Sequence, residues 1–254
     1  MSKKIKPIEF AVIGAGRFGL FWGNHLAAHY PVSFYDSNPR VSQKSKPRGC
    51  WQSLKQCLRK DYIFLTIPIS QIPEFLKNHA GQIKKGSVLI DCASVKLPVL
   101  AWFEKYTSPD VYYIASHPLF GPDSARSGLQ DHLLALMPGH VPLEHYNFLV
   151  QLFTRRLHLN VLSMSADEHD RLMAYNLSLV HHLGRTLHEL GIAKLPLRMA
   201  GMKKLSEISQ IVMNDSEELF RDFYRFNPYS ARLRDDFLAL FAKQGGIETT
   251  KVGE

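Results

Sequence analysis

One histidine stands out by its surroundings. Ser116-His117-Pro118-Leu119-Phe120-Gly121-Pro122 follows Val111-Tyr112-Tyr113-Ile114-Ala115, a β-branched and aromatic run that reads as a buried strand. His117 is expected where that strand ends, because Pro118 removes an N–H from any ladder and disfavours helix at the residue before it. Gly121 and Pro122 then turn the chain away. An imidazole at the carboxyl edge of a sheet sits where open α/β folds hold ligands, and it can take up a proton near neutral pH. The plainer alternative is a histidine that ends a strand and bonds a loop carbonyl. A hydroxyl is expected nearby. The run Ser87-Val88-Leu89-Ile90-Asp91 reads as a strand that delivers Cys92-Ala93-Ser94-Val95-Lys96. If the two strands are neighbours, Ser94 emerges at the same edge as His117. There it fixes the imidazole tautomer or shares a substrate hydroxyl. Alternatively, Ser94 caps a helix from Pro98 to Tyr106.

A second constellation suits phosphate. Gly14-Ala15-Gly16-Arg17-Phe18-Gly19 follows the short strand Ile8 to Ile13 and precedes a helix from Leu20 to Tyr30. Val32-Ser33-Phe34-Tyr35 is the next strand, and it ends on Asp36. Strand, glycine loop, helix, strand and terminal acid in this order form the dinucleotide fingerprint in its required context. Gly14 permits the tight turn, Gly16 admits a pyrophosphate to the backbone, and Gly19 lets helix and strand pack closely. Arg17 and Phe18, in the same loop, are further cofactor candidates beside the helix end whose free N–H groups face the phosphates. Asp36 can bond both ribose hydroxyls and repels a 2′-phosphate, which favours NAD over NADP. Arg40, Lys44 and Lys46 pull the other way unless that loop is simply solvated. Thr66 and Pro68 close the next strand, Asp61 to Thr66, as cofactor neighbours or as strand-end punctuation.

These residues need a scaffold, and the pattern around them supplies one. After a polar loop at 40–50 come a short helix from Trp51 to Arg59 and a helix from Ser70 to His79. Further on lie a strand Leu133 to Met137, a helix Leu143 to Arg156 and a last strand Leu157 to Leu162. Alternating strands and helices with short connections predict an α/β fold, a doubly wound Rossmann-type and mostly parallel sheet. Residues 1–163 form this dinucleotide-binding domain. Residues 164–254 form a smaller all-helical domain. Ser165-Ala166-Asp167-Glu168 is a capping box that opens a long helix to about Glu189. Helices over 198–213, 216–226 and 229–243 follow, with Asn214 and Glu217 repeating the capping pattern, and Gly245 to Glu254 is expected to fray. On the long helix, Asp170 and His181 are eleven residues apart and share a face with Ser178, either lining a cleft or facing solvent.

The bulk numbers bound the rest. A chain of 254 residues, 45% hydrophobic and 21% charged, is long enough for one large domain or two modest ones. No apolar run approaches the roughly 18–20 residues of a membrane span. Met1 to Pro7 is basic, but the glycine loop breaks the apolar stretch after it, so no signal peptide is expected. Three cysteines without metal-ligand spacing point to reduced thiols, a cytoplasmic protein and no metal centre. The net charge of +8 suits a small anionic ligand; no aromatic-interleaved basic stripe supports nucleic acid.

The glycine loop, Ala93-Ser94-Val95-Lys96, the Ser116 to Pro122 stretch and Glu168-His169-Asp170 resemble, in this order, the prephenate dehydrogenases, the TyrA-type enzymes of tyrosine biosynthesis. The resemblance runs from about residue 8 to residue 240. Through Asp123-Ser124 it is nearest the dehydrogenase half of the enterobacterial chorismate mutase/prephenate dehydrogenase. It implies NAD-dependent oxidative decarboxylation of prephenate to 4-hydroxyphenylpyruvate. It also implies that His117 accepts a hydrogen bond from the ring hydroxyl, that Ser94 contacts both histidine and hydroxyl, and that His181 faces the substrate. A homodimer through the helical domain is implied as well. One position departs. Five residues before Asp215 the family carries an arginine that clamps the ring carboxylate, and here Gln210 stands there. Lys203, two turns earlier on the same face, either compensates or is a solvated surface lysine; Arg198 is a more remote substitute. The readings left open are prephenate dehydrogenase, arogenate dehydrogenase, and a nucleotide-binding regulatory homologue with impaired substrate capture.

Overall fold

The computed structural model describes residues 7–244; the expected frayed segment from Gly245 lies outside them. The chain divides into two compact units, Met1–Ala166 and Asp167–Glu254. The first is built on one sheet of eight strands. In chain order its elements are β1 (Phe10–Ile13), α1 (Arg17–Leu26), β2 (Val32–Tyr35), α2 (Pro39–Lys44), β3 (Cys50–Trp51), α3 (Leu54–Cys57) and β4 (Tyr62–Leu65). Then come α4 (Ile72–His79), β5 (Val88–Asp91), α5 (Leu97–Tyr106), β6 (Tyr112–Pro118), β7 (Leu133–Pro138), α6 (Leu143–Gln151) and β8 (Asn160–Ser163). The strand order is β3-β2-β1-β4-β5-β6-β7-β8, and only the β6–β7 pair is antiparallel. Every residue of β1, β4 and β5 is buried, which is why these central strands read as unbroken apolar runs. Phe10, Trp22, Phe34, Phe64 and Phe153 fill the core on one side of them.

Two stretches differ from the sequence reading. Residues 40–50 are not a plain loop. Asn38 accepts a hydrogen bond from the Arg40 N–H and caps α2, with Pro39 at its first turn. Trp51 does not start a helix; it pairs with Phe34 as an edge strand, and the helix shrinks to α3, opened by a capping box between Ser53 and Gln56.

The larger correction concerns β6. His117 is near the strand's end as expected, but the strand runs on past Ala115 to Pro118. The histidine sits inside the antiparallel ladder, opposite Ala135, and Pro118 follows opposite Leu134. The amides of Tyr113 and Leu119 both point toward the β7 side, donating to the carbonyls of His140 and Leu133. By alternation, Pro118 turns its nitrogen to the other side. There β5 has already stopped, with Asp91 opposite Ala115. The missing N–H therefore removes no ladder bond, and β6 overhangs its parallel neighbour by Ser116, His117 and Pro118.

The second unit is helical: α7 (Ala166–Met173), α8 (Val180–Glu189), α9 (Ala200–Met213), α10 (Glu217–Phe226) and α11 (Ser230–Gln244). The single long helix expected to Glu189 is interrupted by a π-helical segment, Ala174–Leu179, between α7 and α8. Wider turns there break the three-turn arithmetic linking Asp170 to His181, yet Asp170, Ser178 and His181 are all buried. Gly184 brings α8 close to α9, since a Cβ there would lie 2.6 Å from Val212 Cγ2. The cap of α10 is Ser216, whose hydroxyl accepts from the Leu219 N–H, rather than Asn214. No helix among the described residues is long and apolar enough to cross a membrane.

Candidate active site

The carboxyl ends of β1, β4, β5 and β6 lie along one edge of the sheet, because these strands run parallel. The strand order reverses beside β1, which makes the loop after it a switch-point crevice. That loop is held from both sides. The Gly14 amide donates to the Tyr35 carbonyl at 2.9 Å, and the Thr66 hydroxyl donates to the Gly14 carbonyl at 2.7 Å. Thr66 thus clamps the glycine loop in place. Pro68 starts the short turn Ile69–Gln71 that leads into α4.

The three glycines separate by cause. Gly14 has φ +98°, and a Cβ there would meet the backbone of Thr66 and Ile67 at 2.8 Å. At Gly19 a Cβ would lie 2.0 Å from the Gly14 carbonyl oxygen. Both are dictated by the fold. Gly16 is not: its φ of −67° suits any residue, and a Cβ would meet nothing within 4 Å. This exposed glycine opens α1 with no side-chain cap and no acidic residue in the first turn. The open space over amides lacking intrahelical partners fits a diphosphate. Arg17, beside it, pairs with Asp123 at 2.8 Å, and Phe18 stacks against Trp22, so its side chain belongs to helix packing. Asp36 ends β2 half-buried, one carboxylate oxygen accepting the Asn38 N–H at 2.8 Å.

Two and three strands along from β1, β5 and β6 lead to Ser94 and His117. The two strands are neighbours, as the chain order implied. Ser94 does not cap α5: the cap position is Lys96, without a side-chain bond. The Ser94 hydroxyl is buried and, among the described residues, has no hydrogen-bond partner. A buried unsatisfied hydroxyl costs about 1–3 kcal/mol, so an orphan here fits a site completed by a ligand. His117 is 9% exposed.

Beneath them lies a feature that sequence reasoning passed over. Asp91 and Lys96 form an ion pair with both side chains fully buried. Asp91 also accepts the Ala93 N–H at 2.9 Å, and Lys96 donates to the Ser116 carbonyl at 2.6 Å. Burial pushes the Asp91 carboxyl above the usual carboxylate range, against the pull of Lys96 and two backbone amides. Burial and the Asp91 charge push the Cys92 thiol far up, away from its thiolate form. The available signal was a strand ending in an acid, with a lysine five residues on, in an otherwise apolar stretch.

The substrate-side candidates belong to the second unit. His181 is 4% exposed, with Nε2 3.3 Å from Asp215 and the ring edge-on to Phe223. Its Nδ1 is buried without a partner among the described residues. Ser178 is bonded to the Ser230 hydroxyl, so it is neither on a solvent face nor a ready ligand group. Asp170 is paired with His169 at 2.8 Å. Gln210 and Lys203 both lie exposed on α9. Elsewhere, a concave surface of about 690 Å³ at the starts of β7 and β8 is lined by Asp131, His158 and Asn160, among others, and by none of the candidates. No group of three or more His, Cys, Asp or Glu among the described residues is placed to hold a metal ion.

Strand order and glycine loop together define a Rossmann-type, nucleotide-binding α/β protein. Residues 27–155, just over half of the chain, match the profile of the nucleotide-binding domain of prephenate dehydrogenase. The chain belongs to the prephenate dehydrogenase family. The match begins after the glycine loop, whose reading rests on its own geometry. Among relatives, an Arabidopsis thaliana chloroplastic arogenate dehydrogenase is 24% identical over 89% of this chain and 66% of its own length. A Zymomonas mobilis cyclohexadienyl dehydrogenase is 26% identical over 91% of this chain and 80% of its own. The chain spans 66%, 37% and 51% of the lengths of three such relatives. In fold, it is similar to the Aquifex aeolicus prephenate dehydrogenase solved with hydroxyphenyl propionate and NAD+. That likeness has a TM-score of 0.76 at 17% identity, covering 95% of this chain and 90% of the other.

Proposed function

We propose that this chain is an NAD-dependent dehydrogenase that oxidatively decarboxylates prephenate to 4-hydroxyphenylpyruvate. The observation that carries the reading is that the neighbouring strands β5 and β6 lead to an orphaned, buried Ser94 hydroxyl and to His117 on the overhang of β6, at the sheet edge that also bears the glycine loop. The first-turn amides after Gly16 hold the diphosphate, and Asp36 takes the ribose hydroxyls and turns away a 2′-phosphate. Bound NAD+ supplies the hydride acceptor. His117, as a neutral imidazole, accepts the proton of the ring hydroxyl as a carbonyl develops on that carbon, a contribution of roughly 10²–10⁴ in rate. The orphaned Ser94 hydroxyl donates to or accepts from the same ring hydroxyl. Loss of CO2 is driven by aromatisation of the ring, so no metal or lysine electron sink is required. His181, the substrate-binding candidate of the helical unit, offers a buried Nδ1 that has no partner among the described residues. Gln210 replaces the expected arginine, and a neutral amide forgoes a charge-assisted bond of about 1.5–3 kcal/mol.

Arogenate is the second reading, favoured by the arogenate dehydrogenases among the relatives. The helical unit exposes apolar side chains including Leu197, Met199, Ile211 and Phe241, which supports a homodimer through that unit. Purified protein mixed with NAD+ and either substrate, followed by absorbance of the reduced cofactor, tests the assignment. Prephenate turnover is expected; arogenate-only turnover replaces the substrate, and cofactor binding without turnover of either removes the enzyme reading.

A further inference from the structure

We infer that the buried Asp91–Lys96 pair is a positioning device for His117, standing in for the strand that β6 lacks beyond Ala115. The inference rests on the dehydrogenase reading of His117. β5 ends at Asp91, yet β6 continues three residues further, and on that side the backbone of Ser116 has no strand to bond. Side chains take the strand's place. Asp91 Oδ1 accepts the Ser116 N–H at 3.3 Å, Lys96 Nζ donates to the Ser116 carbonyl at 2.6 Å, and the Ser116 hydroxyl donates to the Asp91 carbonyl at 2.5 Å. The residue immediately before His117 is thus fixed on both of its polar backbone groups and on its side chain.

The same carboxylate reaches the other candidate. Asp91 Oδ2 accepts the Ala93 N–H at 2.9 Å, which fixes the residue immediately before Ser94. One ion pair therefore sets the spacing between the backbone carrying the imidazole and the backbone carrying the hydroxyl. Both charged side chains have zero exposure, so neither reaches a substrate. They act through His117 and Ser94, and are positioning rather than catalytic residues.

The test uses the full chain carrying Asp91→Asn together with Lys96→Met. This double change removes both charges at once and leaves no unpaired ion in the interior. Expected are an NAD+ dissociation constant within twofold of the parent, kcat lowered at least tenfold, and a displaced or broadened imidazole NMR signal of His117. Unchanged kcat and an unmoved His117 signal in the folded double variant overturn the inference. Should that variant fail to fold, Ser116→Ala keeps both charges and removes only the hydroxyl bond. A drop in kcat of about threefold with a moved His117 signal supports the device, and parent-like values of both overturn it. The NMR signal needs no substrate. If the parent turns over neither prephenate nor arogenate, the dehydrogenase reading fails while the positioning question is still decided.

Discussion

Alanine placed at each of the three loop glycines should produce different outcomes. At Gly16 the backbone is already extended, with φ −67°, and the added methyl enters open space. Restricting the unfolded chain there stabilises by about 0.4–1 kcal/mol, but Gly16 is the N-cap of α1, where alanine is disfavoured by a similar amount, so Tm should stay within a few degrees of the parent. At Gly19 the methyl would sit 2.0 Å from a backbone carbonyl oxygen, and at Gly14 it would meet backbone at 2.8 Å with φ +98°. Each costs on the order of 1–3 kcal/mol or more, so both variants should melt several degrees below the parent. Dinucleotide affinity separates the cases further. A methyl over the first turn of α1 lifts the diphosphate off at least one charge-assisted bond, worth about 1.5–3 kcal/mol, or roughly ten- to hundredfold in Kd. Gly16→Ala should therefore keep close to the parent's stability, unlike the other two variants, and bind NAD+ more weakly. Thermal melts and calorimetric titration with NAD+ measure both. Parent-like NAD+ affinity, or a melting loss like that of Gly19→Ala, would refute the assignment of this loop to the diphosphate.

His117→Asn should retain NAD+ affinity and lose roughly 10²–10⁴ in kcat, measured as reduced-cofactor formation; an unchanged rate removes His117 from the reaction. Gln210→Arg should lower the apparent KM for prephenate about tenfold or more by restoring a charge-assisted bond. No effect on KM would show that another group holds the carboxylate. Burial, then the Arg234 and His181 charges, hold the His182 pKa below the ordinary 6.5; burial, then Arg48 and His29, do the same at His25. Below pH 6.5 the unfolded chain binds more protons than the folded one, so stability falls as the pH drops through that window. Melting curves should show Tm decreasing between pH 7.5 and pH 5.5, with a shallower slope in His182→Gln; an equal slope excludes His182 as a source.

The readable parts of the sequence were those decided locally. β1, β4 and β5 are buried on both faces, so composition alone marks them, and Gly14 and Gly19 announce a loop because no other residue fits. The course of β6 was misread because proline is forbidden only where its nitrogen faces a partner. Which side of Pro118 is open depends on where β5 stops, a tertiary fact. The two-residue strand β3 carries too few residues to show a period, and Trp51 is placed by β2 rather than by its own neighbours. The π-helical segment has no composition of its own, so the spacing of Asp170, Ser178 and His181 was computed on the wrong helix. Ser94 and His117 were legible as residues and as neighbours, whereas Asp91 and Lys96 acquire meaning only once the overhang is seen.

The reversal of direction at β7 also gives the edge a length. From Asp36 at the end of β2 to His117 at the end of β6 there are four strand intervals, about 19 Å at the usual interstrand separation. Beyond His117 the next strand arrives with its amino end, and the row of carboxyl-end loops stops. The sheet is in effect a ruler with an acid at zero and an imidazole at its last mark. A ligand holding only one nucleoside reaches one of the two, and a molecule with two joined end to end can touch both.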